Sequence, residues 1–168
     1  MMQSRSGILT GVARPHDSRT LRTQASEQLA EGWRQGIIEV TSQKGGHLAS
    51  SLGAVEIAVA LFKVFDFRRD RVVWDVGHQA YAHKLLSGRN EQFGTLAQYG
   101  GIKKFLSRDE SSYDHFGAGH ASTSISAALG MAFSRDLQQQ AHYVIAVIGD
   151  GAMTGGLAFE ALNHNGFA

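Results

Sequence analysis

Cysteine is absent from this 168-residue chain, which removes disulfides and thiolate metal centres from consideration. Proline occurs once, at Pro15, so almost no loop is stiffened by a pyrrolidine ring. Long apolar runs are missing too. The strongest, Ile57 to Phe62, is cut by Lys63 and falls far short of the roughly 20 residues that a membrane helix needs. Neither charge sign dominates. A formal net charge of +1 with no basic run argues against a nucleic-acid partner. What is there is globular: 43% hydrophobic residues, 18% charged, and a length of about one domain with a real core. Residues 1–16 carry Arg5 and Arg14 without an acid, as the remnant of a transit peptide would, but lack a secretory apolar region. A flexible terminal segment is expected over 1–19.

Glycine is the abundant residue, at 20. It clusters at predicted element ends: Gly45-Gly46, Gly77, Gly100-Gly101, Gly117, Gly119, Gly149, Gly151 and Gly155-Gly156. Loops of a diphosphate-binding α/β domain need such residues for positive φ or for close approach of a ligand.

Hydrophobic spacing predicts a helix from a Ser26 cap to about Val40, with Leu29, Trp33, Ile37 and Val40 on one face. A loop over Thr41 to Ser51 is expected next, then a helix over Leu52 to Phe65 that is apolar nearly all round and therefore buried. Arg71 to Asp75 reads as a short strand and Gln79 to Ser87 as a short helix. Asn90 to Gly119 has no steady period, which in a compact domain marks a functional or mobile loop. Ser122 or Thr123 is placed to cap a helix to about Leu137, whose Ala127, Ala128, Gly130 and Ala132 suit close packing. Tyr143 to Ile148 is the second clear strand, and a helix over Ala152 to Asn163 follows. This order predicts α/β architecture with a parallel sheet flanked by helices. Two strands are fewer than the about 4–6 of a usual sheet, so the sheet is expected to be truncated.

The chemistry concentrates in a few turns. Gly149-Asp150-Gly151 joins the second strand to a helix. An Asp there offers a hard oxygen ligand of the kind Mg²⁺ selects, and the glycines clear space for backbone N–H groups to meet phosphate. A tight turn with Asp as helix cap is the competing reading. Three of the eight histidines follow glycine in loops: His47, His78 and His120. Loops at the carboxyl ends of parallel strands converge on one crevice, where imidazoles can donate to phosphate and relay protons. Their spacings of 31 and 42 residues match no compact zinc pattern, which weighs against a histidine-metal hydrolase.

Four blocks carry a family resemblance: Gly45 to Gly53, Trp74-Asp75-Val76-Gly77-His78-Gln79-Ala80-Tyr81, Gly119 to Ser126, and Val147 to Thr154. In this order, over roughly residues 20–166, the chain resembles the 1-deoxy-D-xylulose-5-phosphate synthases, thiamine-diphosphate enzymes related to transketolase. The resemblance implies that residues 20–168 are the N-terminal part of a thiamine-diphosphate-binding domain. It implies that Asp150 ligates Mg²⁺ at the diphosphate and that Gly151 and Ala152 meet the diphosphate through backbone. His78 would bond near the diphosphate and thiazolium, Gly119, His120 and Ala121 would line the thiamine, and His47 would assist proton transfer. The implied reaction decarboxylates pyruvate and condenses it with D-glyceraldehyde 3-phosphate, feeding isoprenoid, thiamine and pyridoxal synthesis. The resemblance implies a homodimer; the lack of a convincing transit peptide favours the bacterial cytoplasm, with a plastid as the alternative, and composition argues against nucleic acid or membrane as partner.

Departures from the pattern are Ala121 for Ser, Ala82 for Pro, Phe67-Arg68 for a Thr-Pro pair, and a proline missing around Lys104-Phe105-Leu106. The resemblance also places a diphosphate-site Asn and a cofactor-activating Glu beyond residue 168. Asn163 and Asn165 sit on or just after a helix and do not stand in for that Asn. The isolated chain is therefore expected to be inactive. The alternative reading is a catalytically incomplete binding or regulatory module that pairs with a full-length homologue through the helix Leu52–Phe65.

Overall fold

A computed structural model describes residues 21–167 of the chain. The terminal segment expected over 1–19 lies outside the described residues. The chain divides into two compact units: residues 21–66 with Gln79–Lys104, and Phe67–His78 with 105–167.

The first unit is helical. Helix α1 (Thr23–Lys44) buries Leu29, Trp33, Ile37 and Val40, the stripe that the spacing predicts. It starts before Ser26, whose hydroxyl donates to the Arg22 carbonyl at 3.2 Å from inside the first turn, so Ser26 is not the cap. It also runs four residues further than expected. The predicted loop over 41–51 is largely helix: α1 ends at Gly45 (φ 72°), and α2 (Leu48–Gly53) begins three residues later. A bend at Ala54 separates α2 from α3 (Val55–Val64), where the sequence suggested one helix. Helix α3 is amphipathic rather than buried all round. Val55, Ala58, Val59 and Phe62 are buried, while Ile57 and Val64 are 49% and 65% exposed. Helix α1 packs on α2, α3 and α4 (Tyr81–Lys84), and α4 continues as a π-type turn to Arg89. Arg34 ties α1 to its neighbours, donating to the Leu52 carbonyl at 2.8 Å and pairing with Glu56.

The second unit holds the sheet. Strands β1 (Arg71–Trp74) and β2 (Val144–Val147) pair in parallel, Arg71 opposite Val144 and Trp74 opposite Val147. Val72, Val73 and Trp74 are buried side by side, the continuous apolar signature of a parallel strand covered on both faces. Helix α5 (Ser124–Leu137) packs against both strands and against α7 (Gly156–Phe167). Of the small residues expected to pack closely, Ala128 is buried and Gly130 is exposed. The helix predicted over 152–163 is two: α6 (Asp150–Met153) and α7, broken at Thr154-Gly155.

His115 pins the long loop of this unit to β1. Its Nδ1 accepts the Val72 N–H at 3.0 Å. Its Nε2 lies 3.1 Å from the Phe67 carbonyl, which fixes the Nε2–H tautomer as the one that satisfies both contacts. His115→Ala leaves the buried Val72 amide without its acceptor and is expected to cost about 1–3 kcal/mol. Hydrogen exchange at the Val72 amide checks this: its protection is expected to fall in the variant, while amides of α1 keep theirs.

Candidate functional site

Three segments of the second unit meet beyond the carboxyl ends of its strands, where open parallel sheets bind ligands. The first is the turn after β1. Asp75 continues the ladder by donating its N–H to the Val147 carbonyl at 2.8 Å. Val76 (φ 57°) and Gly77 (φ 82°) then both take left-handed backbone, reversing the chain before His78. Such backbone is costly for a β-branched residue and is characteristic of positions held for a ligand or a tight turn.

The second segment is the approach to α5. The Asp75 carboxylate is buried and accepts two backbone N–H groups, from Ser122 at 2.8 Å and from Ser124 at 2.9 Å. It thus caps α5 from the turn after β1, 49 residues before the helix's first residue. This corrects the expectation that Ser122 or Thr123 caps the helix: Thr123 occupies the cap position without a side-chain cap bond. The Ser122 hydroxyl is used elsewhere. It donates at 2.7 Å to the carbonyl of Ala152, the third segment, in α6. Ser122 also takes positive φ (68°), which turns the chain from Gly119-His120-Ala121 into the helix.

This chain of hydrogen bonds, Asp75 to Ser122 to Ala152, brings together seven of the eight sequence-predicted site residues. His78 follows the β1 turn, and Gly119, His120 and Ala121 precede Ser122. Asp150, Gly151 and Ala152 form the start of α6. His120, Ala121, Asp150 and Gly151 are exposed, and His78, Gly119 and Ala152 are half-buried. Gly149 caps α6 in extended backbone with no side-chain cap bond, and a Cβ at Gly149 or Gly151 would meet nothing within 4 Å. Asp150 therefore offers an exposed carboxylate beside backbone clear of side chains. Among the described residues no group of three or more His, Asp and Glu is placed to hold a metal. Asp150 stands as one exposed carboxylate, a group that could serve as a single hard oxygen ligand.

The eighth residue, His47, belongs to the first unit. Its N–H donates to the Tyr81 hydroxyl at 3.2 Å. Burial raises the Tyr81 phenol above its ordinary value, against a smaller opposite pull from the His47 amide. Gly46 makes the approach feasible: at φ 146° it sits where a Cβ would lie 2.7 Å from the Tyr81 oxygen. Asn163 and Asn165 lie exposed on α7.

Sequence reasoning missed the roles of Asp75 and Ser122. Asp75 stood in a quoted block, but nothing local shows that its partners are amides far along the chain.

The chain matches the family model described as 1-deoxy-D-xylulose-5-phosphate synthase over residues 9–168. It is similar to proteins of that name from Carboxydothermus hydrogenoformans (58% identical over 159 residues, 95% of this chain and 26% of the relative). The corresponding protein of Thermomicrobium roseum is 59% identical over 153 residues, 90% of this chain and 24% of the relative. A relative from Geobacter sulfurreducens named 1-deoxy-D-xylulose-5-phosphate synthase 2 is 58% identical over 161 residues, 96% of this chain and 26% of its own length. The chain spans about a quarter of the length of these curated relatives.

Proposed function

The chain belongs to the 1-deoxy-D-xylulose-5-phosphate synthase family, an enzyme family, and from that premise we propose that its second unit supplies one wall of a thiamine-diphosphate site. The observation that carries this reading is the Asp75–Ser122–Ala152 chain of hydrogen bonds, which gathers His78, His120 and Asp150 at one sheet edge and leaves the Asp150 carboxylate exposed. The residues fit the group. Asp150 would hold Mg²⁺, and the backbone of Gly151 and Ala152 would meet diphosphate oxygens. His78 would donate to the same region, and Gly119, His120 and Ala121 would flank the thiamine.

When bound, thiamine diphosphate supplies the nucleophilic carbon for decarboxylation of pyruvate and condensation with D-glyceraldehyde 3-phosphate. The chain's own residues bind, orient and move protons. His47, whose amide donates to the Tyr81 hydroxyl, would move a proton at its imidazole. Ala121 brings no hydroxyl to the thiamine wall, so its contribution there is backbone and a methyl group.

On this reading residues 20–168 form the N-terminal part of a cofactor-binding domain. The activity belongs to a chain of the relatives' length, acting as a homodimer, and bacterial relatives favour a cytoplasmic setting. No helix among the described residues is long and apolar enough to cross a membrane.

The test uses a chain completed to the relatives' length. Asp150→Ala is expected to weaken Mg²⁺-dependent thiamine-diphosphate binding by more than about 100-fold, beyond the loss usual for an outer-shell partner. His47→Ala is expected to keep cofactor affinity and lose about 10²–10⁴-fold in turnover, the range of a general acid–base group. Calorimetric titration and product assay separate the two. Near-normal cofactor affinity in Asp150→Ala would break the assignment.

A further inference from the structure

The second unit carries another concave surface, at the opposite ends of its strands. A cleft of 690 Å³ opens where β1 and β2 begin, well within the size of a small-molecule site. Arg68, Arg71, Arg108 and Arg135 line it together with His115 and His142, against a single lining carboxylate, Asp114. That carboxylate is already engaged, accepting the Ser107 N–H at 3.0 Å.

The arginines come from separate places: the approach to β1, its first residue, the long loop, and the last turn of α5. Two are braced by backbone carbonyls. Arg71 Nη1 donates to Arg69 O at 2.8 Å, and Arg135 Nη1 donates to His142 O at 3.1 Å. Arg135 Nε also binds the exposed Asp136 carboxylate at 2.7 Å. Arg108 is exposed and has no hydrogen-bond or ion-pair partner among the described residues. Burial and the nearby Arg71 and Arg135 charges lower the His142 pKa, a local sign of the positive field. Ser111, Ser112 and Ser134 add hydroxyls, while Phe67 and Met131 supply apolar wall.

We propose that this cleft binds a small phosphorylated metabolite, its phosphoryl dianion held by the arginine forks and its hydroxyl-bearing body by the serines. Guanidinium groups match the planar, multidentate geometry of phosphate oxygens, and Arg108 is the fork with no partner among the described residues. A nucleic acid or an acidic protein would need an extended basic face, whereas the chain's net charge is only +1 and its basic residues form no run. The cleft is independent of the carboxyl-edge site: it contains none of the residues assigned there and calls for no Mg²⁺.

The experiment is isothermal titration of the 168-residue chain, without Mg²⁺, with glycerol 3-phosphate, with inorganic phosphate, and with chloride at matched ionic strength. Saturable one-to-one binding of glycerol 3-phosphate, tighter than that of inorganic phosphate, is expected. Arg108→Ala and Arg135→Gln are each expected to weaken it by at least about tenfold, as loss of one charge-assisted contact implies. Asp150→Ala is expected to leave it unchanged. Circular dichroism confirms folding, and the exposed, unpartnered Arg108 makes its variant the safer of the two. Absent saturation, equal displacement by chloride, equal affinity for inorganic phosphate, or loss in Asp150→Ala instead of the arginine variants would each overturn the proposal.

Discussion

Asp75→Ala is expected to lower the unfolding free energy of the chain by about 3–5 kcal/mol, the sum of two charge-assisted hydrogen bonds and of the buried donors left behind. Asp75 is 1% exposed, and its two oxygens answer the amides of Ser122 and Ser124, which are 7% and 0% exposed. The carboxylate also faces the positive end of α5, a further contribution of about 0.3–1 kcal/mol. Asp75→Asn keeps one acceptor oxygen but turns an NH₂ group toward the other amide, so about half the loss is expected. Urea unfolding followed by far-UV circular dichroism checks the order Ala, then Asn, then wild type. An unchanged midpoint in both variants would mean that α5 finds another cap. The functional consequence follows from the same geometry. Ser122 hands the constraint on to Ala152, so loosening Asp75 frees the His120 loop and the Asp150 turn together.

The second large effect is expected at Gly77. With φ at 82°, any L-residue there adopts a left-handed conformation that costs about 1–2 kcal/mol. Space adds to the penalty, since a Cβ on Gly77 would lie 2.6 Å from the Ala118 Cβ. Ala118 cannot simply step back, because its N–H donates to the Leu106 carbonyl at 3.2 Å. Gly77→Val combines both terms and is expected to cost about 3–5 kcal/mol, conformational strain plus overpacking. Gly88 is the control for conformation alone. It has φ 92° with nothing within 4 Å of a Cβ, so Gly88→Ala is expected to cost only about 1–2 kcal/mol. Thermal unfolding separates the cases, and Gly77→Ala combined with Ala118→Gly is expected to recover the steric share. Equal losses at Gly77→Val and Gly88→Ala would remove the close approach as a cause.

Much of the fold was legible because its signals are periodic and local. Leu29, Trp33, Ile37 and Val40 repeat at helical spacing and are buried. Val72 to Trp74 and Val144 to Val147 are short apolar runs bounded by turns, and they pair in parallel as the element order requires. Boundaries were less legible. Nothing in the apolar run from Leu52 to Phe65 signals a bend at Ala54, and the apolar residues Ile57 and Val64 face outward because α3 has one covered side. The break before α7 also escaped. Gly155 lies where a Cβ would collide with Ser122, a constraint that comes from another segment of the unit.

The site shows the same division. The glycines and histidines of the candidate site stand in compact blocks, and a block is a local object. The sequence by itself therefore determined the family, the α/β class and the turns that bear His47, His78, His120 and Asp150. Tertiary structure alone decided that Asp75 caps a helix, that Ser122 fastens two of those turns, and that four scattered arginines share one cleft. The reason is physical. Periodicity and turn chemistry act over a few residues, whereas a buried carboxylate must find its donors wherever the folded chain presents them, here 47 and 49 positions away.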